Sequence, residues 1–347
     1  MNRLTIFISL LLFWVSLDAQ NYVFLEGDAF HTTYHISYQG KENYQDSIES
    51  LFREIDNSLS MFNEKSLLSR INSNDSSVRI NHHLRKVLEC GRKVSKHTDG
   101  AFDMTVGPLV NLWGFGFKNR GNVTPAMVDS LLRFVDYKSI EIDEEGRVRK
   151  NDSRTILDAS SIAKGYACDV VGEWLSQRGV RNYMVEIGGE VSLRGRNSKG
   201  KPWSIGINTP EEDSLSVNKK VQDVLLLTNG GVATSGNYRK FYYKEGKKYA
   251  HTIDPHTGYP VQQDILSSTV IAEDCMTADA YATAFMVMGS KRALQILAKD
   301  KSLMAYFILS SPNKKGGYRV VYSPSLKEKL RGTKKVSSNT NSSASGR

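Results

Sequence analysis

After the first twenty residues, hydrophobic positions alternate with polar ones in some segments and recur every three or four residues in others. Residues 22–38 alternate as β-strands do. Helical spacing follows in two segments, carried by Ile48, Leu51, Phe52, Ile55 and Leu59, and by Leu84, Val87, Leu88, Gly91 and Val94. Thr124 and Pro125 supply an N-cap and a first-turn proline for a helix over Met127 to Val135. The pattern predicts an opening strand pair covered by helices.

The rest of the chain continues this mixture of short strands and helices. Ser139 to Lys150 alternates around Glu145-Gly146 and predicts a hairpin. Further strands are predicted at 182–194, 203–208, 222–228, 238–253, 265–273, 303–309 and 317–322, with helices beginning near Ser161, Met276 and Lys291. Because the strands come in adjacent groups with helices inserted between the groups, we predict an α+β fold with mixed, largely antiparallel sheets. No linker divides the chain, so we expect one unit with two lobes around a cleft.

The two ends of the 347-residue chain differ in composition from its middle. The apolar run from Leu4 to Leu17, followed by Asp18-Ala19-Gln20, predicts a signal peptide over residues 1–19. The run is short for a membrane anchor and no cysteine near residue 20 could carry a lipid, so we expect an exported, periplasmic protein. Residues 327–347 hold six Lys or Arg and one Glu, so this basic Ser/Asn-rich tail, predicted to be disordered, supplies five of the net charge of +9. No basic helix occurs elsewhere, and no nucleic-acid partner is expected.

One ten-residue window concentrates reactive side chains, namely His251-Thr252-Ile253-Asp254-Pro255-His256-Thr257-Gly258-Tyr259-Pro260. Its prolines and glycine prevent a continuous helix or central strand, so its two imidazoles and its carboxylate should lie on a tight turn. Such a turn is either a solvated surface loop or a place of binding or catalysis, and the window alone favours neither.

A second window, Asp158-Ala159-Ser160-Ser161-Ile162-Ala163-Lys164-Gly165, precedes an apolar helical pattern. Main-chain amides at a helix N-terminus, together with two hydroxyls and a lysine, would bind a phosphate group. The alternative is an ordinary N-cap from Asp158 or a serine, beside a solvated lysine.

A third window pairs two oxygen-bearing side chains on one helical face. Asp279 and Thr283 are four residues apart in ADAYAT, near the start of a predicted helix. Carboxylate and hydroxyl oxygens suit Mg²⁺, although helix-dipole and packing effects would explain an isolated pair equally well. Donor-rich loops predicted at 188–189, 228–231 and 234–237 suggest a polyphosphate or nucleotide-like ligand, and the acidic, aromatic stretch 98–116 offers either a stacking wall or a core segment.

Six segments in order resemble the ApbE-type FAD:protein FMN transferase family over residues 25–322, namely GAFDMTVGPLVNLWGFG, DASSIAKGYACDVV, VEIGGEV, TSGNYRKF, HTIDPHTGYP and ADAYATAFMVMG. The resemblance implies an ApbE-like domain over residues 20–326 and an enzyme that uses Mg²⁺ to cleave the pyrophosphate of its substrate FAD. It further implies that FMN is attached by a phosphoester to a Thr or Ser of an acceptor flavoprotein, with release of AMP. We expect the acceptor to be a subunit of a membrane redox complex, which would bring the enzyme to the membrane.

The resemblance also assigns expected roles to individual residues. Asp279, Thr283 and an oxygen at Ser161 correspond to the metal site. His251 corresponds to the catalytic base and Asp254 to a catalytic residue that orients the turn, whereas His256 falls at a variable position. The FAD contacts correspond to Phe30, Phe62, Ala101, Phe102, Asp103, Asp158, Lys164 and Ile253, of which Phe30 and Phe62 match less well. The chain departs from the family pattern at His31, where Gly is usual, and at Ser160-Ser161, a segment that often contains Gly.

Other functions stay open from the sequence. Some ApbE relatives are FAD pyrophosphatases, and a protein that only binds flavin would share most contacts with an enzyme, but the joint presence of His251, Asp279 and Thr283 favours catalysis. A different class is suggested by three motifs of penicillin-binding serine acyltransferases, which are imitated by Ser161-Ile-Ala-Lys164, Ser235-Gly-Asn237 and His256-Thr-Gly258. Only 21 residues separate Ser235 from His256, too few for the helical region that those enzymes place there.

Overall fold

A computed structural model describes residues 21–116, 122–210, 220–237, 241–244, 247–311 and 317–331. The predicted signal peptide and residues 332–347 of the basic tail fall outside these residues. Residues 327–331, which the sequence assigned to the disordered tail, are described, and Leu330 packs in a hydrophobic cluster because its side chain is apolar. The described strands are β1 Tyr22–Ala29, β2 Thr32–Gln39, β3 Ile140–Ile142, β4 Val148–Lys150, β5 Tyr183–Ile187, β6 Glu190–Arg194, β7 Trp203–Asn208, β8 Val221–Leu227, β9 Asn229–Gly236, β10 Phe241–Lys244, β11 Lys247–Ala250, β12 Ile265–Ala272, β13 Met304–Ser310 and β14 Tyr318–Tyr322. The helices are α1 Gln45–Leu59, α2 Leu67–Asn72, α3 His82–His97, α4 Gly107–Leu112, α5 Pro125–Leu132, α6 Ala163–Gln177 and α7 Cys275–Lys299, with short 3₁₀ helices at Tyr137–Ser139 and Pro324–Lys329.

An eight-stranded sheet forms the centre of the molecule, in the order β1-β2-β5-β6-β9-β12-β13-β14. Every pair of neighbouring strands in it is antiparallel. Three further hairpins, β3–β4, β7–β8 and β10–β11, are also antiparallel. The predicted α+β class with largely antiparallel sheets is therefore confirmed.

The two faces of the central sheet are covered differently. Helices α6 and α7 pack on one face, against β5, β6, β9 and β12, and α1 and α3 pack on these helices in turn. The opposite face is covered by the β7–β8 hairpin and the 3₁₀ helix at Pro324–Lys329 through a second cluster that includes Val191, Trp203, Ile271, Ile308 and Leu326. Along β6, residues therefore alternate between the two layers, and Glu190 faces the helices while Val191 faces the hairpin.

A third hydrophobic cluster lies apart from these two. Leu109, Trp113, Val128 and Ile253 form its buried centre, which joins α4 and α5 to the segment after β11. Thr124 caps α5 as predicted, since its side chain accepts the Met127 amide at 3.3 Å. This cluster supports the turn at residues 251–260.

One sequence-based prediction needs correction. The donor-rich loops predicted at 228–231 and 234–237 are largely a central strand, β9, between β6 and β12. Glycine weakens a strand signal, but here Gly231 allows close packing, because a Cβ on it would lie 2.1 Å from the Cys275 amide nitrogen. The two helices predicted from Met276 and Lys291 are confirmed: the element α7 consists of two helices that meet at a kink at Gly289, with φ 75° and ψ 167°. Ser290 restarts the helix by donating its amide to Asp264.

Candidate active site

The first turns of α6 and α7 meet at Gly165. A Cβ on Gly165 would lie 2.4 Å from the Cys275 carbonyl oxygen, so the absent side chain permits this approach. The Gly165 amide donates to Asp279 Oδ2 at 3.1 Å. Asp169 on α6 accepts the amides of Cys275 and Met276 at 3.0 and 2.8 Å. These contacts fix the start of α7 against the start of α6 and place Asp279 beside Lys164.

Lys164, Glu190 and Asp279 form a charged cluster at this junction. Lys164 Nζ lies 2.9 Å from Glu190 Oε1. Glu190 is 6 % exposed and Asp279 3 % exposed, whereas the Lys164 side chain is 28 % exposed and can reach a ligand from the cluster. The three residues come from two helices and one strand, and only the fold brings them together.

Burial and mutual charge set the ionisation of this cluster. Burial raises the pKa of Glu190 to about 7, although Lys164 opposes the shift. Burial also raises the pKa of Asp279, against the effects of Lys164 and the Gly165 amide. Burial lowers the pKa of Lys164, but the charges of Glu190 and Asp279 outweigh it, so this pKa lies above its usual value. The site therefore holds a permanent ammonium beside two carboxyl groups.

The predicted metal residues lie around the same junction. Asp279 and Thr283 share one face of α7, and Thr283 Oγ1 lies 3.1 Å from Ser235 Oγ on β9. Ser161 precedes α6 by two residues and is partly buried. One carboxylate with hydroxyl oxygens fits Mg²⁺, which keeps several waters and uses few protein ligands. The described residues contain no cluster of three His, Cys, Asp or Glu side chains that could hold a metal, so a softer ion that needs such ligands fits less well.

The start of α6 differs from a simple phosphate-binding helix end. Its N-cap residue, Ile162, makes no side-chain cap, and neither Asp158 nor a serine caps the helix. The Ala163 amide donates to the Ala159 carbonyl at 2.9 Å, and the Gly165 amide is already used by Asp279. An anion at this end would therefore depend on the Lys164 ammonium more than on the amides of the first turn.

The turn at 251–260 is held by its own hydrogen bonds. The Asp254 amide donates to the Tyr259 carbonyl at 2.9 Å, and the Gly258 amide donates to the Asp254 carbonyl at 2.8 Å. Asp254 Oδ1 accepts the His256 amide at 2.9 Å and lies 3.1 Å from His256 Nδ1. His256 Nε2 donates to the Asp99 carbonyl at 2.7 Å. Asp254 and His256 thus shape the turn and attach it to the loop that contains Asp99.

His251 stands at the other end of this turn, directly after β11. Its side chain is partly buried, and its ring centroid lies 6.4 Å from that of Phe115. The next residue, Thr252, donates its hydroxyl to Asn237 Oδ1 at 3.0 Å, just beyond the end of β9. Since Ser235 on β9 contacts Thr283, a short series of contacts connects the His251 segment to the face of α7 that bears Thr283. Ile253 is 5 % exposed and packs in the third hydrophobic cluster, so its side chain supports the turn.

The segment that contains Ala101, Phe102 and Asp103 is buried. Ala101 and Phe102 are each 2 % exposed, and Asp103 is 8 % exposed. Asp103 Oδ1 accepts the Thr105 amide and hydroxyl, each at 2.7 Å, and Oδ2 accepts the Tyr137 amide at 2.9 Å. Burial raises the pKa of Asp103 against these hydrogen bonds. Contact of this segment with a ligand would therefore fall mainly to its main-chain groups.

Asp158 connects that segment to α6. Its amide donates to the Met104 carbonyl at 2.6 Å, and its Oδ1 accepts the Ser160 amide at 2.8 Å. The carboxyl group is 6 % exposed, and burial raises its pKa. Asp158 therefore orders the loop that presents Ser161.

Phe30 lies at the turn between β1 and β2, and Phe62, in the loop between α1 and α2, packs against that turn. Phe30 and His31 have φ 52° and 61°, a left-handed conformation that costs about 1–2 kcal/mol for a residue with a side chain. Phe30 packs on Phe52 with ring centroids 5.5 Å apart, and His31 packs on Phe62 at 5.1 Å. Phe62 is 64 % exposed.

The adjacent β5–β6 turn reaches the β1–β2 hairpin, since the Gly188 amide donates to the Thr33 carbonyl at 3.0 Å. Because that turn leads into Glu190, the hairpin lies at the cluster's end of the sheet.

A separate cavity of about 250 Å³ lies between α3 and the β3–β4 hairpin. Arg85, Arg92 and Asp103 contribute to its lining, but Lys164, Glu190 and Asp279 do not. Its volume is below the roughly 300–1,000 Å³ of ordinary ligand pockets. The charged cluster is therefore a better candidate than this cavity for binding a phosphate group and a divalent cation.

Some residues at the junction were not singled out by the sequence. The motifs VEIGGEV, GYACDVV and TSGNYRKF contain Glu190, Asp169, Ser235 and Asn237. The sequence indicated a function for these motifs only through their glycines or their similarity to motifs of other proteins, and not through these four residues. The period-two alternation of β6 could have indicated Glu190, because a charged residue on its helix-facing side requires a partner.

In the part of the chain that the structure describes, no helix has the length and apolar character needed to span a bilayer. Comparison with known proteins then gives a consistent result. A FAD:protein FMN transferase of Haemophilus influenzae is 38 % identical over 304 residues, which is 83 % of this chain and 87 % of that protein. One from Vibrio cholerae is 38 % identical over 283 residues, or 79 % of this chain and 84 % of that protein.

Solved structures agree with these relatives. The flavin transferase ApbE of Vibrio cholerae superposes with a TM-score of 0.80 at 34 % identity, covering 90 % of this chain and all of that one (100 %). The ApbE protein of Thermotoga maritima gives a TM-score of 0.78 at 30 % identity, with coverage of 90 % and 100 %. The sequence model of the ApbE family matches residues 30–307, and the chain belongs to this family.

Proposed function

We propose that this chain is a Mg²⁺-dependent FAD:protein FMN transferase. It cleaves the pyrophosphate of FAD, releases AMP and attaches FMN through a phosphoester to a Thr or Ser hydroxyl of an acceptor flavoprotein. The observation that carries the proposal is the α6–α7 junction, where a partly exposed ammonium lies beside a buried carboxylate and a hydroxyl on α7. The names of relatives at 38 % identity support the same activity.

The pyrophosphate would bind at this junction. Asp279, Thr283 and Ser161 would hold Mg²⁺, which when bound neutralises phosphate charge and stabilises the departing AMP phosphate. Lys164 reaches out of the cluster and contacts the phosphate oxygens with a charge that stays positive across the physiological pH range. Asp158 orders the Ser161 loop, and the main chain of residues 101–103 and the rings of Phe30 and Phe62 border the nucleotide and the flavin.

His251 is the base that accepts the proton of the incoming hydroxyl. An imidazole accepts a proton near neutral pH, and the hydrogen bonds of Thr252 with Asn237 and of Ser235 with Thr283 support a position of the His251 segment near α7. Asp254 supports this role by holding the turn, and Ile253 anchors it in the third hydrophobic cluster.

The other candidate activities are supported less well. In a serine acyltransferase Lys164 would serve Ser161, yet its ammonium is bound to Glu190, and His256-Thr257-Gly258 lies in a turn and not on a strand. Hydrolysis of FAD without transfer would use the same residues and differs only in the nucleophile. Passive flavin binding would not require the buried Asp279 beside Thr283.

The test uses purified chain, FAD, Mg²⁺ and an acceptor flavoprotein domain. We expect AMP release together with a mass increase of the acceptor by one FMN less one water, as a phosphoester requires. AMP and free FMN without an adduct would support the pyrophosphatase instead, and tight FAD binding without AMP under any divalent metal would contradict both enzyme activities. Covalent labelling of Ser161 by a penicillin would favour the acyltransferase.

The cellular setting is part of this proposal. The leader over residues 1–19 directs export to the periplasm, and the acceptor is a subunit of a membrane redox complex, so that the enzyme meets the membrane through its partner. Fractionation of cells that express the full chain tests the first part: mature protein lacking the leader should appear in the periplasm, and full-length cytoplasmic protein would contradict export.

A further inference from the structure

Glu190 is a buried residue of the cluster to which the proposed chemistry gives no task. It begins β6, directly after the Gly188-Gly189 turn, and is 6 % exposed. Its Oε1 binds the Lys164 ammonium at 2.9 Å, whereas its Oε2 has no hydrogen-bond partner among the described residues. Leaving a buried polar atom unpaired costs about 1–3 kcal/mol, so such an atom in a native structure needs an explanation.

Stability alone does not explain the Lys164–Glu190 pair. Removing two charges from water costs about as much as their attraction returns, and apolar residues in their place are often equally stable. The pocket also contains Asp279, so that one ammonium lies beside two carboxyl groups, and the charge of Asp279 acts on Lys164. The ammonium could therefore pair with either carboxylate, and in the structure it pairs with Glu190.

This choice of partner matters for the metal site. Asp279 is the one carboxylate among the three residues proposed to hold the divalent cation, and an ammonium bound to it would compete with that cation. Lys164 directly precedes Gly165, whose amide contacts Asp279, so a small movement would bring the ammonium to this carboxylate. Only a fixed alternative partner keeps the two apart.

We propose that Glu190 is a positioning residue, which holds the Lys164 ammonium away from Asp279 and thereby leaves Asp279 for the cation and Lys164 for the phosphates. This inference rests on the proposed function of the site. It explains why a glutamate with one unpaired oxygen is kept on the helix-facing side of β6. It also predicts that the effect of Glu190 on the metal depends on the presence of Lys164.

The test measures Mn²⁺ binding to the full chain without FAD, by the loss of the free-ion signal in electron paramagnetic resonance. Glu190→Gln keeps the size of the side chain and removes its charge, so the ammonium moves to Asp279. We expect the dissociation constant for Mn²⁺ to rise about tenfold, within the range of coupling between contacting residues. In a Lys164→Met background the same substitution should change it by no more than about twofold.

Two further variants and a control complete the experiment. Glu190→Asp keeps the charge but retracts it by one methylene, and a rise of about threefold is expected. Glu173→Gln is the control: Glu173 lies on the same helix as Lys164 but forms an exposed ion pair with Lys86. The Mn²⁺ affinity of this variant should stay at the wild-type value. Thermal unfolding of each variant verifies that the protein is folded at the assay temperature.

Two results would overturn the inference. An equal loss of Mn²⁺ affinity from Glu190→Gln with and without Lys164 would mean that Glu190 acts on the cation directly. Unchanged affinity in both Glu190→Gln and Glu190→Asp would mean that the ammonium does not compete for Asp279. Neither measurement needs FAD cleavage. If the wild-type chain releases no AMP, the proposed function is contradicted, but the Mn²⁺ titrations still test the role of Glu190.

Discussion

Gly165→Ala tests whether the contact between α6 and α7 builds the site. The added Cβ would lie 2.4 Å from the Cys275 carbonyl oxygen, 2.8 Å from its carbon and 2.9 Å from Asp279 Cβ. Ordinary contacts of this kind begin near 3.4 Å, so the two helices must separate by about 1 Å. The obstacle is main chain on α7, which cannot turn aside as a flexible side chain would.

The energetic effect combines two opposing terms. Alanine favours the helical state over glycine by about 1 kcal/mol. Overpacking a closely packed contact costs typically 1–3 kcal/mol and occasionally more, and here the obstacle is backbone, so the upper part of that range applies. We expect a net loss of about 2 kcal/mol in the free energy of unfolding, seen as a fall of roughly 3 °C in Tm for a domain of about 300 residues.

The site should lose more than the fold does. A shift of about 1 Å lengthens the hydrogen bond from the Gly165 amide to Asp279 and misplaces Lys164, and misplacements of this size can cost about 100-fold in rate. AMP release from FAD at saturating Mg²⁺, measured by liquid chromatography below the Tm of the variant, reports this loss.

Gly172→Ala is the matched control on the same helix. A Cβ there would lie 2.8 Å from the Tyr183 ring on β5, and its three nearest atoms all belong to that side chain and not to α7, so the variant should lose stability and keep its rate per folded molecule. Wild-type stability with wild-type AMP release in Gly165→Ala would refute the reasoning, and so would an equal loss of rate in Gly172→Ala.

Three histidines give further predictions. His251→Asn should lower FMN transfer by about 10²–10⁴-fold with FAD affinity kept, as judged by acceptor mass and flavin fluorescence, and an unchanged transfer rate would exclude it as the base. His256→Asn should remove the bond to the Asp99 carbonyl and lower the free energy of unfolding by about 1 kcal/mol, while a loss of transfer comparable to that of His251→Asn would contradict its structural role. Burial lowers the pKa of His83 to about 4, so the unfolded chain takes up the proton first on acidification and stability falls as the pH drops from about 6.5 to 4. This component amounts to at most about 3 kcal/mol. The free energy of unfolding, measured in urea at pH 7 and 4.5, should fall less between the two pH values in His83→Phe than in the wild type, and equal falls would contradict this explanation.

The sequence predicted the elements that carry a strong local signal. The apolar spacing in α1 and α3 and the Thr124-Pro125 cap of α5 are local, and each element was found where the pattern placed it. β9 was missed because its Gly, Thr and Ser residues resemble a loop, although the strand depends on contacts with β6, β12 and α7 that only the folded chain supplies. Strand propensity of this kind is set by neighbours more than by the residues themselves.

The same distinction applies to the candidate site. The spacing of Asp279 and Thr283 on one helical face follows from helix geometry and could be stated in advance. The pairing of Lys164 with Glu190 crosses 26 residues and an intervening helix and strand, and no local pattern encodes it. The helix-end amides at α6, predicted to bind phosphate, are partly used by Ala159 and Asp279. The sequence therefore indicated candidate site residues but not which of them pair with each other or which hydrogen bonds they form.

Mass spectrometry of an acceptor flavoprotein, co-expressed with this chain, tests the central claim most directly. The account predicts an FMN adduct on a Thr or Ser of the acceptor with the wild-type chain, and no adduct with Asp279→Ala. An adduct that persists with Asp279→Ala, or an unmodified acceptor beside a wild-type chain that still binds FAD, would contradict it.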